Sequence, residues 1–283
     1  AELVMASDPD ADRVGAAVKN NEGEWVLLNG NQTALMFVYY LITRWKELGK
    51  INGKEYIVKT IVTTETIKTI AERNGVEMYD VYTGFKWIAN VMRENEGKKN
   101  YIGGGEESYG FLCEDFVRDK DAVSACVILA EIAAWAKDQG LSLYQLLQKI
   151  YVEYGFSKEK GISVVKKGKS GAEEIEAMMK KFRENPLTEI AGSKVTYFYD
   201  YSTLKGKDYA ENETVTLDMP TTSNVLQYFT EDNTKVSIRP SGTEPKIKFY
   251  CEVHSKVKSI DELPEAEKAA EEKINQIKAS LGI

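Results

Sequence analysis

Three acidic side chains alternate near the start of the chain, in Asp8-Pro9-Asp10-Ala11-Asp12-Arg13. In an extended loop this spacing brings the carboxylates to one point. Three carboxylates that close repel one another unless a cation joins them, and an all-oxygen set favours a hard ion, Mg²⁺ or Ca²⁺. The helix–loop–helix calcium pattern fails, because Arg13 and Lys19 stand where it needs glycine and glutamate. Mg²⁺ normally keeps substrate oxygens in its shell, and Arg13 beside it could hold a phosphate. A solvated acidic turn after a strand would carry the same residues without that chemistry.

Two other stretches carry chemistry. Arg239-Pro240-Ser241-Gly242-Thr243-Glu244-Pro245-Lys246 reads as a loop between strands at 235–238 and 247–253. Arg239 offers a planar fork of donors, Ser241 and Thr243 offer hydroxyls, and Gly242 lets main-chain N–H groups approach an anion. The same residue types also make ordinary turns. Gly103-Gly104-Gly105-Glu106-Glu107-Ser108-Tyr109-Gly110 reads as a glycine-rich turn. It misses the dinucleotide spacing at Ser108, and its acids would repel a pyrophosphate. Carboxylates and hydroxyls on such a turn suit sugar hydroxyls. Thr83-Gly84 and the Arg118–Asp121 stretch each precede a helical segment, where a helix N-terminus receives an anion or is simply capped. Gly168-Lys169-Ser170 ends like a phosphate loop but lacks its leading glycine, and residues 166–169 read as a solvated basic turn.

These residues need elements to position them. Residues 3–6, 14–18 and 25–28 read as strands, too few for a stable core, so their sheet is expected to continue upstream of a truncated chain. From about 30 to 155 helices and strands alternate, which indicates a three-layer α/β domain. Residues 155–161 read as a linker. Strands in series follow, with helices at 172–185 and 266–281, the mark of an α+β domain. The expected division is therefore 1–29, the end of an α/β domain; 30–155, an α/β domain; and 156–283, an α+β domain.

The length of 283 residues, 43% hydrophobic and 29% charged, is that of an ordinary globular protein of about two domains. A net charge of −7 argues against general nucleic-acid or anionic-membrane binding, so a phosphate site must be a local basic pocket. The longest apolar run is too short to span a bilayer, and no signal peptide opens the sequence. Cys113, Cys126 and Cys251 are scattered and odd in number, as expected of buried thiols in a reducing cytosol. His254 is the only histidine, which removes Ser-His-Asp and multi-histidine zinc chemistry within the chain.

Taken in order, the three loops resemble those of the α-D-phosphohexomutase family, the phosphoglucomutases and phosphomannomutases. Residues 8–13 resemble its metal loop, 105–110 its sugar loop and 239–246 its phosphate loop, and the resemblance covers essentially the whole chain. It implies a cytoplasmic, Mg²⁺-dependent isomerase that interconverts hexose 1- and 6-phosphates of glucose or mannose through a phosphoserine and a bisphosphate. By resemblance Asp8, Asp10 and Asp12 would hold Mg²⁺ and Arg13 would face the phosphoserine. Glu106, Ser108, Thr83 and Gly84 would meet the sugar; Lys120, Arg239, Ser241, Gly242 and Thr243 would meet phosphate. Metal loop and phosphate loop would then face one cavity. The family's Ser-His-Asn-Pro-like loop has no match here, so its phosphoserine domain is expected to be a missing N-terminal part, and this chain alone is expected to be inactive. The Glu-Glu-Ser-Tyr-Gly wording resembles glucose-type members, while phosphopentose mutases share related loops. Rival readings are a binding module without chemistry and a phosphatase with Asp8 as nucleophile. The phosphatase would release phosphate from a small ester in an Asp8-dependent way; the mutase reading expects no release by residues 1–283.

Overall fold

The computed structural model describes residues 1–283 apart from Lys167, Thr243 and the side chain of Lys169. The chain divides into two compact units, Ala1–Gly155 with Val257–Ile260, and Phe156–Lys256 with Asp261–Ile283.

In the first unit β1 (Leu3–Ser7), β2 (Val14–Lys19) and β3 (Trp25–Leu28) form an antiparallel sheet in that order. Its inner face, with Val14, Ala16, Val18 and Leu28 buried, rests on two later helices. Its outer face leaves Val4, Trp25 and Leu27 exposed. There follow α1 (Gly30–Glu47), β4 (Glu55–Thr60), α2 (Thr66–Arg73), β5 (Glu77–Val81), α3 (Phe85–Asn95), β6 (Asn100–Gly105), β7 (Phe111–Cys113), α4 (Ala122–Asp138) and α5 (Leu143–Tyr154). The described strands of this second sheet run β5-β4-β6-β7, with β4 parallel to both neighbours and β7 antiparallel to β6. Tyr56, Val58 and Tyr101 turn one face to Phe85, Ile88 and Met92 of α3. α1 lies on the sheet as well, beside α2, α4 and α5, and is buried along most of its length, so the domain is layered α/β/α as its alternating pattern predicts. α1 and α5 begin at capping boxes, Asn29 with Gln32 and Ser142 with Gln145, which satisfy otherwise unpaired N–H groups.

The second unit begins with β8 (Phe156–Val165), α6 (Gly168–Glu184), β9 (Glu189–Ile190) and β10 (Ser193–Asp200). It continues through β11 (Lys205–Asp208), β12 (Glu213–Thr216), β13 (Leu226–Thr230), β14 (Lys235–Pro240) and β15 (Lys246–Ser255) to α7 (Leu263–Leu281). Its described strands make one antiparallel sheet, β12-β11-β10-β13-β14-β15-β8, with β9 on β10. Ile247, Phe249, Cys251 and Val253 of β15 are buried with Ile274 and Ile277 of α7. The α+β reading of this region stands.

Several local expectations need correction. The stretch read as a linker is the first half of β8, paired with β15 along its whole length. Its Lys158 and Lys160 hid the strand by looking solvated; they reach Glu267 and Glu271 of α7 at 2.9 and 3.1 Å. Lysines on an edge strand also oppose further strand addition. Gly103–Gly105 end β6 inside the sheet, held by β4 on one side and β7 on the other, although glycine's low strand preference suggests a turn. The basic segment at 166–169 is cut short, because α6 already begins at Gly168. Arg239 and Pro240 belong to β14, which shortens the phosphate loop to 241–245. β7, β9 and β11 were not foreseen: the first two are three and two residues long, and Lys-Gly-Lys-Asp in β11 has no apolar face. Cys113 and Cys251 are buried thiols as expected, but Cys126 is only half-buried.

Lys235 and Ser237 of β14 are not solvent-facing either. Lys235 is 1% and Glu252 3% exposed; they are cross-strand partners with Nζ 2.9 Å from Oε2. His254 Nε2 lies 2.7 Å from Glu252 Oε1. Removing one partner of such a pair strands a buried charge. Lys235→Met should therefore destabilise the second unit by about 3–5 kcal/mol, read by hydrogen exchange of the β14–β15 amides in urea. Lys235→Met with Glu252→Leu should recover much of that loss.

The same cluster sets a pH dependence. Burial works to raise the Glu252 pKa, but Lys235 and His254 hold it well below the usual carboxylate range. Burial works against charge on His254, yet Glu252 raises its pKa above 6.5. A raised folded pKa means that the histidine's contribution is complete below about pH 6.5 and is lost as pH rises through the folded value. Glu252's contribution runs the other way, lost as pH falls. His254→Gln should flatten the alkaline side of the stability profile and reduce, without removing, the acid-side loss, because Lys235 still holds Glu252 down.

Candidate functional site

The acidic motif is the loop of the β1–β2 hairpin. Ser7 pairs with Val14, so residues 8–13 bridge the two strands. Asp8 fastens this loop: its Oδ1 accepts the main-chain N–H of Asp12 at 3.1 Å and of Arg13 at 3.0 Å. Ala11 takes a positive φ of 56°, and its N–H donates to the Asp8 carbonyl. Burial works to raise the Asp8 pKa, but the N–H groups of Arg13 and Asp12 outweigh it and hold the carboxyl below its ordinary value. One carboxylate oxygen from each of Asp8, Asp10 and Asp12 lies within 4.8 Å of the others. Asp12 Oδ1 is buried and accepts no hydrogen bond. A buried carboxylate oxygen left over in an all-oxygen cluster fits a hard divalent cation. Arg13 is half-exposed, its Nε 3.6 Å from Asp12 Oδ1 and 3.9 Å from Asp8 Oδ2.

The glycine-rich motif is the loop of the next hairpin in space, between β6 and β7. Its Glu106 N–H donates to the Gly110 carbonyl at 2.9 Å. The two loops are tied together: Arg13 and Gly110 form an isolated antiparallel bridge, and the Val14 N–H donates to the Tyr109 carbonyl. The N-terminus of α4 joins them, with the Ala122 N–H on the Ala11 carbonyl at 3.0 Å. The structure thus brings together Asp8, Asp10, Asp12, Arg13, Glu106, Ser108 and Lys120 within the first unit.

Glu106 and Gly84 also meet. Glu106 is buried, and its Oε1 accepts the Gly84 N–H at 2.7 Å, at the start of α3. The helix N-terminus therefore already has an anion, the protein's own carboxylate. Gly84 has φ 113°, a conformation a side chain would strain. Thr83 is half-buried beside it, and Ser108 is half-buried in the turn. Both lie at the C-terminal edge of the parallel strands β5 and β6, where α/β sheets collect ligand-facing loops.

Lys120 reaches across this group. Its Nζ lies 2.6 Å from Asp12 Oδ2 and 3.4 Å from Asp119 Oδ1. Burial works to lower its pKa, and the Asp12 hydrogen bond and the two carboxylates raise it above the ordinary lysine value. The adjoining Asp121 caps α4, accepting from Val123 and Ser124, so capping is what this part of the segment does.

The phosphate motif lies in the second unit. The Ser241 N–H donates to the Lys246 carbonyl at 2.7 Å, and Ser241 Oγ accepts from the Glu244 N–H. Lys246 is engaged by Glu244 at 2.7 Å. Gly242 is exposed, with open space where a side chain would stand. Thr243 lies outside the described residues. Arg239 on β14 faces Lys248 on β15 directly across the ladder. Neither side chain is within ion-pair distance of a carboxylate among the described residues, although Lys248 helps to lower the Glu244 pKa. Two like charges opposed on a sheet repel, and an anion would relieve that repulsion.

Some residues were not singled out from the sequence. Lys248 looked like one more solvated strand residue. Gly30 is forced: a Cβ there would stand 2.1 Å from the Glu107 carbonyl oxygen, so α1 can press its first turn against the β6–β7 loop only as glycine. Lys59 is fully buried at the end of β4, 2.7 Å from Asp80 and 2.9 Å from Glu65. Its one hint was a lysine within a β-rich run.

Comparison with known proteins follows the same division. The phosphoglucomutase/phosphomannomutase α/β/α domain III matches residues 29–154, and the C-terminal domain of that family matches residues 163–270. A phosphoglucomutase of Staphylococcus aureus (strain MRSA252) is 38% identical over 250 residues, 88% of this chain and 44% of the relative. One of Staphylococcus haemolyticus is 34% identical over 90% of this chain and 45% of its own length. The chain thus spans less than half the length of these curated relatives. The open form of Paramecium pp63/parafusin, a phosphoglucomutase, superposes with a TM-score of 0.59 at 17% identity, over 100% of this chain and 46% of that one. A Burkholderia thailandensis protein of the family gives the same score and identity over 100% of this chain and 47% of its own. These two likenesses show the fold. With both domain matches in sequence order and relatives above 30% identity, the chain belongs to the phosphoglucomutase/phosphomannomutase family, the α-D-phosphohexomutases, of which it holds a C-terminal portion.

Proposed function

We propose that residues 1–283 are the metal-, sugar- and phosphate-binding part of a phosphosugar mutase that interconverts hexose 1-phosphate and hexose 6-phosphate. Glucose is favoured as the sugar by the relatives named phosphoglucomutase. The observation that carries the reading is the backbone tie between the acidic hairpin and the sugar loop, Arg13 to Gly110. It sets three convergent carboxylates, an arginine and a lysine beside a buried glutamate.

In this reading Asp8, Asp10 and Asp12 hold Mg²⁺, which supplies positive charge for a phosphoryl group when bound. Arg13 offers its guanidinium to the phosphoryl group of a phosphoserine contributed from outside residues 1–283. Glu106 and Ser108 hold sugar hydroxyls, with Thr83 and Gly84 shaping the turn beside them. Arg239, Ser241, Gly242 and Thr243, with Lys248, grip the non-reacting phosphate, and Lys120 meets the other. Phosphoryl transfer asks mainly for positioning and charge stabilisation, and these groups supply both. The sugar bisphosphate must turn over between the two half-reactions, so the same loops read it in two orientations. We further propose that residues 1–29 are the end of a preceding α/β domain, 30–155 the sugar-binding domain and 156–283 the phosphate-binding domain. The bare outer face of β1–β3 supports the first of these. A cytoplasmic location accords with the absence, among the described residues, of any helix long and apolar enough to cross a membrane.

The full-length gene product should convert glucose 1-phosphate to glucose 6-phosphate in a Mg²⁺-dependent way, assayed beside mannose and ribose phosphates; inactivity on all three sinks the proposal. For this chain, Arg239→Ala should weaken hexose-phosphate binding by roughly 1.5–3 kcal/mol, the scale of a hydrogen bond to a charged group. Unchanged affinity by calorimetry would leave the loop a turn and nothing more.

A further inference from the structure

We infer that Lys120 is a built-in counter-ion of the acidic hairpin, which a divalent cation must displace from Asp12, and which is thereby released toward the sugar turn. The inference rests on the metal assignment above and deepens it.

Asp12 is divided between two fates. Its Oδ2 is held by Lys120 Nζ at 2.6 Å, while its Oδ1 is buried without a hydrogen bond. The Lys120 side chain is 14% exposed, so the ammonium is placed here and does not sweep through solvent. Its stem crosses the sugar turn: a Cβ at Gly110 would meet Lys120 Cδ at 2.5 Å, and Glu106 Oε2 lies 3.5 Å from the same point. The stem therefore lies against the Glu106–Gly110 turn while the ammonium reaches the acidic hairpin. The Ala122–Ala11 hydrogen bond fixes the base of its segment against the hairpin.

Lys120 in contact with Asp12, and the half-exposed Arg13 at 3.6 Å from Asp12 and 3.9 Å from Asp8, leave the three carboxylates short of neutral. A divalent ion on all three, whichever Asp12 oxygen it meets, stands close enough to repel the ammonium and works to drive Lys120 off Oδ2. The two cations therefore compete for Asp12. Lys120 then has Asp119, Glu106 and any bound anion within reach of its flexible stem. Cation binding and anion binding thus become linked through one side chain, and the linkage is reciprocal.

The test is a Mn²⁺ titration of residues 1–283, followed by electron paramagnetic resonance, with Lys120→Met, Lys120→Arg and Asp10→Asn alongside. Removing the competing charge should tighten Mn²⁺ binding by about tenfold in Lys120→Met, and Lys120→Arg should stay near the unaltered chain. Asp10→Asn should abolish the site in every background. Binding by Lys120→Met that is equal to or weaker than the unaltered chain, with Asp10 still required, overturns the counter-ion inference and leaves the metal reading standing. Binding that ignores Asp10, or is absent throughout, defeats the metal reading itself. A second measurement needs no variant: the ordered Lys120 ammonium should give a ¹⁵N signal that moves when Mg²⁺ is added, and a signal indifferent to saturating Mg²⁺ contradicts displacement.

Discussion

The first unit depends on a seam of main-chain hydrogen bonds between two hairpin loops that are far apart in sequence. Arg13 bridges Gly110, Val14 donates to Tyr109, and Ala122 donates to Ala11. No side chain takes part in these bonds, although a Cβ at Gly110 would stand 2.5 Å from Lys120 Cδ and Ala11 and Tyr109 take positive φ. The seam places an acidic cluster beside a glutamate turn without asking either loop to bind the other by charge. Both loops carry carboxylates, and side-chain contact between them would be repulsive; backbone pairing is what lets like-charged loops sit side by side.

Much of the architecture was legible in the sequence because the first domain alternates strands with helices. The strands of the second unit were found where one face is apolar, as in β15. The first half of one was missed where charged residues find partners on another element: Lys158 and the exposed Lys160 of β8 reach carboxylates on α7. Lys235, sealed against Glu252, lies in a stretch that was read as a strand, but its burial was not foreseen. Short-range pattern carries no information on such pairs, since the partners lie far away along the chain.

The candidate site shows the same limit. Alternating Asp8, Asp10 and Asp12 point to convergence, and their oxygens do converge. What pattern could not supply is the hairpin that closes over them, the engagement of Lys120 with Asp12, or the Gly30 approach to the β6–β7 loop. The Arg239–Lys248 opposition was hidden in another way: it depends on register, and a shift of one residue would have sent the two cations to opposite faces.

The hydrogen bond from Gly84 to Glu106 carries a consequence for selectivity. With one oxygen pinned to the first turn of α3, the carboxylate cannot swivel to follow a guest. On the proposed reading, its second oxygen accepts a hydroxyl only from a fixed bearing. Discrimination at this position then depends on whether a ring substituent is axial or equatorial, and an epimer is refused by direction even though it offers the same donor.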